Sequence, residues 1–301
     1  MERYRNHKAI KSIRTANFKS FGPELWASEF VKICHSVPVR TPDGSVKKIA
    51  ITKYISGHSA NRRKRAQTIK QQLINNEEVK KDTDAIDWLS KSWDRISACF
   101  FGHGQIEEIS LLAELALKAD LVKPDRLQKW INDDQLIGLD CNGFTNAYYS
   151  AIGCFLENPI HWHNKYKQIA GVAHSWHDIN YDSAVLWARN KSKKSDKDEN
   201  GDGKIDKKDR ITLDTWEVIP NGHKGPDHNA HIGVIDHVMN DEVVVCQHGS
   251  NAGPRMSTYK IVSEPPNKKR GHEIWYLREK GKSKAQTVIL TKTMPTYAAG
   301  D

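Results

Sequence analysis

The stretch Leu139–Phe144 reads Leu-Asp-Cys-Asn-Gly-Phe, and it lies where the chain changes from turn residues to a helical pattern. A helix is predicted over 141–153, because four of its residues would share one face: Phe144, Ala147, Tyr148 and Ala151. Asp140 is a suitable N-cap, and Gly143 would let another segment or a substrate come close. The free N–H groups and partial positive charge of a helix start lower the pKa of a thiol placed there. Cys141 is therefore the candidate nucleophile, and its backbone N–H is a candidate oxyanion donor.

The elements around this helix predict the fold class. Upstream, a hairpin is predicted around Pro42-Asp43-Gly44, followed by helices over about 61–81, 84–100, 105–119 and 124–131. Downstream, strands are predicted over 184–188, 215–219, 231–237, 242–248 and 272–277. Helices followed by an antiparallel sheet predict an α+β fold. We expect residues 1–100 to form a basic, mostly helical region that begins with a basic arm at 1–22. Residues 101–301 would form the catalytic domain.

A thiol nucleophile needs a histidine as general base, and His231 opens the apolar strand 231–237. A two-residue turn after Met239 would pair Met239 with Glu242 and Gly233 with His248. Residues that pair directly, and residues two apart on a strand, share a face of the sheet. His248 would then lie beside His231 and orient its ring, which gives a Cys141–His231–His248 triad. A one-residue slip would exchange His248 for Gln247.

The five cysteines are an odd number at wide spacings, which argues against a disulfide scaffold. A lone buried cysteine is usually a small hydrophobic residue, and four of the five keep that interpretation: Cys34, Cys99, Cys154 and Cys246. Only Cys141 combines a helix start with a candidate histidine partner. Other histidines, such as His161 and His163, match no trusted zinc signature.

These residues resemble the motifs of NlpC-type cell-wall peptidases. Residues 138–144 are similar to the Asp-Cys-Ser-Gly-Phe motif of that family, and His231–Ile235 is similar to its His-Val-Gly-Ile-Tyr motif. Val245–His248 is similar to the strand that carries the third polar residue, and Ala184–Trp187 to the first core strand after the catalytic helix. Asn142 departs from the usual serine, and an insertion near 189–212 lengthens the chain between the cysteine and the histidine.

The resemblance covers roughly residues 125–280 and implies a papain-like fold, in which the cysteine helix packs on an antiparallel sheet. It also implies cleavage of an amide bond in peptidoglycan stem peptides, as an amidase or endopeptidase. Two alternatives stay open. One is a thiol acyltransferase or transglutaminase-like enzyme with the same residues, and the other is a calcium-dependent binding protein with an inactive papain-like domain.

The insertion contains an acidic loop from Asp198 to Asp209 that fits the calcium-loop pattern, with oxygen ligands at positions 1, 3, 5, 9 and 12 and glycine at position 6. The candidate ligands are Asp198, Asn200, Asp202, the backbone carbonyl of Lys204, Asp206 and Asp209. Aspartate replaces the usual glutamate at position 12. We expect a structural calcium ion and no organic cofactor. A flexible charged surface loop is the simpler explanation.

Composition limits the partners. The net charge of +9 favours polyanions such as nucleic acid, anionic lipid or the bacterial wall. Part of it lies in Arg62–Arg65, which reads most simply as a solvated helix face, and no nucleic-acid recognition motif accompanies it. Apolar runs are too short for a membrane span, and no signal peptide is visible. We expect a protein made in the cytoplasm that reaches the wall by a non-classical route. It would be an injected antibacterial effector with an immunity protein, or a phage lysin.

Overall fold

The structure is a computed structural model that describes residues 25–55, 59–91, 93–151, 154–155, 170–171, 183–187, 189–194, 196–198, 201–206, 210–217, 231–239, 241–263, 274–283, 286–293 and 296–297. Helices occupy the first half of this chain and antiparallel strands the second. The α+β prediction is confirmed. The predicted basic arm at 1–22 lies outside the described residues.

The helical half begins with α1 (Ala27–Cys34), a helix that was not predicted. The predicted hairpin follows, with strands β1 (Val37–Arg40) and β2 (Val46–Ile49). The helices that follow are α2 (Ala60–Asn75), α3 (Glu77–Lys80), α4 (Thr83–Lys91), α5 (Trp93–Phe100) and α6 (Ile106–Lys118). A 3-10 turn (Pro124–Arg126), α7 (Leu127–Lys129) and a π turn (Trp130–Asp134) lead to α8 (Cys141–Ala151). The stretch predicted over 61–81 is two helices, because Asn76 leaves helical geometry and its side chain caps α3.

Most of the strand half belongs to one seven-stranded antiparallel sheet, whose strands are β4 (Ala170–Gly171), β5 (Ser183–Trp187), β8 (Ile232–Met239), β9 (Glu242–Gln247), β10 (Arg255–Ser263), β11 (Ile274–Glu279) and β12 (Gln286–Thr293). Their order across the sheet is β11-β10-β9-β8-β5-β12-β4, with β11 also paired to β12. The β11–β12 pairing closes six of these strands into a ring. Buried side chains from all six meet in one cluster, as they do inside a small barrel: Val185, Ile235, Val243, Val245, Tyr259, Leu277 and Val288.

The helix α8 packs on the other face of β8 and β9. The side chains of Val234 and Cys246 point away from the ring interior. They pack with Phe144 and Ala147 of α8 in a second, larger cluster of buried residues, the main core. Alternate residues of β8 and β9 therefore point to the ring interior and to α8. The same main core contains buried residues from both sides of residue 100, so α1 to α5 and α6 to α8 pack as neighbours.

The register of β8 and β9 corrects a prediction. The turn is as expected, since Met239 pairs with Glu242. A bulge between Ile235 and His237 then shifts the ladder by one residue, and Gly233 pairs with Gln247. The prediction that Gly233 pairs with His248 is wrong. Because a one-residue shift moves a side chain to the other face, it is Gln247 that shares the face of Gly233.

The bulge has a visible cause. Asp236 is the additional residue, it is buried, and its Oδ1 accepts a hydrogen bond from the backbone N–H of Ser28 at 2.6 Å. Ser28 lies in the first turn of α1, where backbone N–H groups lack partners within the helix. The strand bends so that a carboxylate reaches this helix start.

The insertion is a separate two-stranded ribbon. Its strands β6 (Arg189–Lys194) and β7 (Arg210–Glu217) pair from Arg189 with Glu217 to Lys194 with Arg210. The strand predicted over 215–219 belongs in part to this ribbon, and the acidic loop connects its two strands. The remaining strands, β3 (Cys154–Phe155) and β13 (Thr296–Tyr297), form a short pair. Among the described residues, no helix combines the length and the apolar character needed to cross a membrane.

Candidate active site

The segment that leads into α8 is held between two other segments by backbone hydrogen bonds. Leu139 donates to the Lys53 carbonyl at 3.2 Å, and its own carbonyl accepts from Ile55 at 3.0 Å. On the other side, the N–H of Asp140 donates to the carbonyl of Gly102 at 2.9 Å. The two residues before Cys141 are thus fixed through main-chain groups of Lys53, Ile55 and Gly102, which lie far away in the sequence.

Gly143 makes the closest of these approaches. A Cβ atom built on Gly143 would lie 1.7 Å from the Gly102 carbonyl oxygen and 3.2 Å from Cα of His103. Gly102 has a positive φ of 82°, which favours glycine. The sequence predicted that another segment or a substrate comes close to Gly143, and in the structure the close neighbour is the backbone of Gly102 and His103. The start of α8 and the turn after α5 fit together because neither glycine carries a side chain.

Asp140 caps α8, as predicted. Its Oδ1 accepts the N–H of Gly143 at 2.6 Å, and the N–H of Asn142 also bonds to the carboxylate. Burial disfavours the charged form more than these two bonds favour it, so the pKa of Asp140 rises to about 7. His103 Nε2 lies 3.5 Å from Oδ2. The carboxyl beside the cysteine is therefore poised to change charge near neutral pH.

Cys141 is the first residue of α8 and is fully buried. The hydroxyl of Tyr54 donates to its Sγ at 3.8 Å. Tyr54 is held in turn by Asn251, whose Oδ1 accepts the Tyr54 backbone N–H at 3.0 Å. Sequence reasoning missed Tyr54, since no motif or spacing relates residue 54 to residue 141. Because the sulfur is buried, a substrate reaches it only if a neighbouring side chain moves.

His231 lies immediately before β8 and is bound to Gln247. Its Nε2 is 2.8 Å from the Gln247 Oε1, and a Cβ built on Gly249 would lie 3.1 Å from its Cε1. Part of the His231 side chain reaches the surface, but burial lowers its pKa to about 4, against the opposite effect of the Gln247 bond. The imidazole is neutral at pH 7 and can accept a proton.

His248 occupies the other side of β9, and its predicted position beside His231 on one face is therefore wrong. His248 is two residues after Cys246, so its side chain lies on the same face as that of Cys246, which packs toward α8. It is fully buried, and its ring lies 5.4 Å from that of Tyr54. Neither ring nitrogen has a hydrogen-bond partner within the described ranges. Burial lowers the pKa of His248 to about 3, and repulsion from His231 adds to the effect.

The structure thus connects the three predicted residues through a series of neighbours, which differs from the predicted triad. Tyr54 contacts both Cys141 and His248, His248 is close enough to His231 for their charges to interact, and Gln247 holds His231. The residue that can orient the His231 ring is Gln247.

The other cysteines with described side chains are buried thiols: Cys34, Cys99 and Cys246. Burial raises the pKa values of Cys34 and Cys246 well above that of an ordinary thiol. None of the three begins a helix. Cys34 and Cys246 therefore stay protonated at neutral pH, and of the four cysteines with described side chains Cys141 is the one that begins a helix. Cys154 has no described side chain, and His161 and His163 lie outside the described residues.

The acidic loop is described at 196–198 and 201–206. The Asp198 carboxylate accepts N–H bonds from Gly201 at 2.7 Å, Asp202 at 3.2 Å and Gly203 at 2.7 Å. Gly203 has a positive φ of 80°, which the sixth position of a calcium loop requires. This turn fits the predicted pattern. Within the described part, no three His, Cys, Asp or Glu side chains are grouped closely enough to hold a metal ion. The predicted ligands Asn200 and Asp209 lie outside that part.

Comparison of the chain with protein-family models, with curated proteins and with solved structures finds no match. The geometry of this site and the residues that resemble the NlpC-type motifs are therefore the observations that bear on function.

Proposed function

We propose that this protein is a cysteine hydrolase that cleaves an amide bond of a peptidoglycan stem peptide, with a papain-like arrangement of its catalytic core. One observation carries the proposal. Cys141 begins a helix that packs on β8 and β9, and those two strands position a histidine already bonded to an amide side chain. A helix-start thiol, a neutral imidazole and a group that orients the imidazole are the parts of thiol acyl transfer.

The proposed reaction has two steps. The proton of the Cys141 thiol moves to His231, and the sulfur attacks the amide carbonyl carbon. The C–N bond then breaks, His231 gives its proton to the leaving amine, and a thioester to Cys141 remains. In the second step His231 takes a proton from water, and the resulting hydroxide attacks the thioester. The C–S bond breaks, His231 returns its proton to the departing sulfur, and a carboxylic acid and the free thiol are released. The Cys141 N–H is the proposed oxyanion donor.

His248 is the competing base, because it lies on the side of β9 that faces α8 and its ring adjoins Tyr54. We favour His231 because Gln247 fixes its ring, whereas the ring of His248 has no hydrogen bond to fix it among the described residues. An oriented imidazole passes a proton faster than one free to rotate. Separate substitution of the two histidines tests this choice.

The proposed partner is the bacterial wall, and the net charge of +9 favours binding to an anionic polymer. We propose action outside the cytoplasm, as an injected effector with a cognate immunity protein or as a phage lysin. A lysin is expressed with the phage, whereas an effector needs an immunity protein in its producer. Toxicity on periplasmic expression that a neighbouring gene relieves would favour the effector.

The deciding experiment is digestion of purified sacculi followed by mass spectrometry. The wild-type protein should release muropeptides with one new amine and one new carboxyl end, and Cys141→Ala should release none. Cys34→Ala is the matched control, since it removes a buried thiol that does not begin a helix. Equal digestion by wild type and Cys141→Ala would end the enzyme proposal.

The same digestion separates hydrolysis from acyl transfer. A hydrolase releases free carboxyl ends without an added amine. A transglutaminase-like enzyme needs an amine acceptor, and its product carries that amine in a new amide bond. An inactive binding protein would bind sacculi and cleave nothing under either condition.

We also propose that the ribbon tip binds a structural calcium ion through oxygens of Asp198, Asn200, Asp202, Asp206 and Asp209 and the carbonyl of Lys204. The turn at Gly203 supports this. Calorimetric titration with calcium chloride should show one site, which Asp198→Ala removes and Asp196→Ala retains. Asp196 is an exposed acid just before the loop. No binding at millimolar calcium would overturn the proposal.

A further inference from the structure

Gln247 is the centre of a polar cluster that extends to the next strand. Its Nε2 donates to Ser257 Oγ at 2.9 Å and to the Tyr259 hydroxyl at 3.0 Å, while its Oε1 meets His231. Gln247, Ser257 and Tyr259 are all buried. Buried polar groups that are fully bonded specify one arrangement of their side chains.

The pairing of β9 with β10 explains why these side chains meet. Arg255 pairs with Gln247, Ser257 with Val245 and Tyr259 with Val243. Alternation therefore puts Gln247, Ser257 and Tyr259 on the face of Val243, Val245 and the ring interior. In the register without the bulge, Gln247 would lie on the opposite face from Gly233. The bulge at Asp236 brings the histidine strand and this cluster to the same side.

An amide group has two N–H donors and one carbonyl acceptor. With Ser257 and Tyr259 each accepting one N–H, both donors of Gln247 are used, and only Oε1 remains for His231. A carbonyl oxygen can only accept, so His231 must donate from Nε2. In a neutral imidazole the other nitrogen, Nδ1, then carries the lone pair.

We propose that Ser257 and Tyr259 are positioning residues that fix the amide of Gln247 and so hold His231 as the Nε2–H tautomer, with Nδ1 as the nitrogen that accepts the proton. The catalytic consequence rests on the proposed cysteine hydrolase, whereas the tautomer itself does not. The alternative arrangement has the amide rotated by 180°, with both hydroxyls donating to Oε1 and His231 in the Nδ1–H form.

The tautomer can be measured without any substrate. Two-dimensional ¹⁵N–¹H spectra of the imidazole nitrogens distinguish the two neutral forms, and the signals absent from His231→Gln identify His231. In the unaltered protein at pH 7 we expect Nε2 to carry the proton. A proton on Nδ1 would overturn the proposal, whatever the protein does to sacculi.

Variants then test the two hydroxyls. In Ser257→Ala/Tyr259→Phe the amide loses both acceptors, and the His231 spectrum should become a mixture of the two tautomers. Ser257→Thr keeps a hydroxyl and should keep a single tautomer. Tyr148→Phe is the matched control, because it removes another tyrosine hydroxyl bond, to the Leu25 carbonyl at 3.0 Å, away from His231. An unchanged His231 spectrum in the double variant would overturn the role of these residues.

Kinetics gives a second test if sacculi are cleaved. Each lost hydrogen bond corresponds to roughly a fivefold effect, so kcat should fall by about 5- to 30-fold in the double variant. The KM should stay unchanged, because Ser257 and Tyr259 are both buried. A rise in KM with unchanged kcat would contradict a role in orienting His231. If the tautomer is as expected but sacculi remain intact, the proposed function fails and this inference stands.

Discussion

The cysteine side and the histidine side of the site are built in different ways. On the cysteine side, backbone groups of Lys53, Ile55 and Gly102 hold the residues before Cys141, and Gly143 packs against bare main chain. On the histidine side, the side chain of Gln247 holds His231 and is itself held by two hydroxyls. A position set by backbone contacts admits no adjustment, whereas one set by side chains changes with a single substitution. Variants on the first side should therefore affect folding, and variants on the second should affect turnover.

Charge separates the two sides as well. Burial raises the pKa of Asp140 to about 7 and lowers that of His231 to about 4. The physical cause is the same, since a buried group resists its charged form whether it is an acid or a base. Near pH 6 both groups are mostly neutral, and the pH dependence of stability should differ in sign between the two sides.

The largest effect is expected for Gly143→Ala. The new Cβ would lie 1.7 Å from the Gly102 carbonyl oxygen, and backbone on both sides must move to accept it. We expect a loss of at least about 3 kcal/mol in the free energy of unfolding, measured by urea denaturation. Gly44→Ala is the control, because nothing lies within 4 Å of its added Cβ and only its positive φ of 84° is costly. Equal losses at both positions would contradict the close packing at Gly143.

Asp140→Asn should show the pH dependence of the cysteine side. Asparagine remains a good N-cap but does not ionise. Because folding raises the pKa of Asp140, its favourable contribution is fully present below about pH 4 and is lost as the pH rises through 7. The variant should therefore gain stability relative to the wild type between pH 4 and pH 8, by about 2 to 4 kcal/mol.

Denaturation midpoints across this pH range measure the difference, and Asp43→Asn is the control. The Thr41 hydroxyl and the N–H of Ser45 lower the pKa of Asp43 to about 2, so its contribution has the opposite sign and is lost only in acid. A stability difference at Asp140 that does not change with pH would show that its carboxyl is not shifted by burial.

Gln247→Ala and His248→Ala separate the two interpretations of the histidine side. In the proposed reaction an imidazolium forms on His231, and a hydrogen bond to a charged group contributes about 1.5 to 3 kcal/mol. Loss of Gln247 should lower kcat by roughly 10- to 100-fold, whereas His248→Ala should change kcat little. The measurement is initial rates of muropeptide release. A large loss in His248→Ala with near-normal rates in Gln247→Ala would make His248 the base or the orienting residue.

The sequence predicted the parts of the site that depend on local chemistry. Asp140 followed by Cys141 is a helix start that capping preferences reveal, and the strand of Val243–Val245 is evident from its composition. The two-residue turn after Met239 was also readable, and it is confirmed. These features depend on residues within a few positions of one another.

The features that the sequence could not reveal depend on distant contacts. The bulge exists because Asp236 reaches Ser28, 208 residues away in the chain, and that one residue exchanges Gln247 for His248 as the partner of His231. Tyr54 reaches Cys141 only because residues 53–55 pair with Leu139. Alternation of apolar and polar residues predicts which side chains of a strand share a face. It does not predict the residue at which a bulge exchanges the two faces.

Gly249→Ala is the counterpart of Gly143→Ala on the histidine side, since each adds one methyl group near a proposed catalytic residue. The new Cβ would lie 3.1 Å from Cε1 of His231, and a ring positioned by a side-chain bond to Gln247 can tilt by a few tenths of an ångström. We expect kcat to fall by about 2- to 5-fold with KM unchanged and the urea midpoint within about 0.5 kcal/mol of wild type. If Gly249→Ala instead unfolds the protein as Gly143→Ala should, the ring of His231 is as rigidly packed as the start of α8, and the contrast between a backbone-built side and a side-chain-built side is wrong.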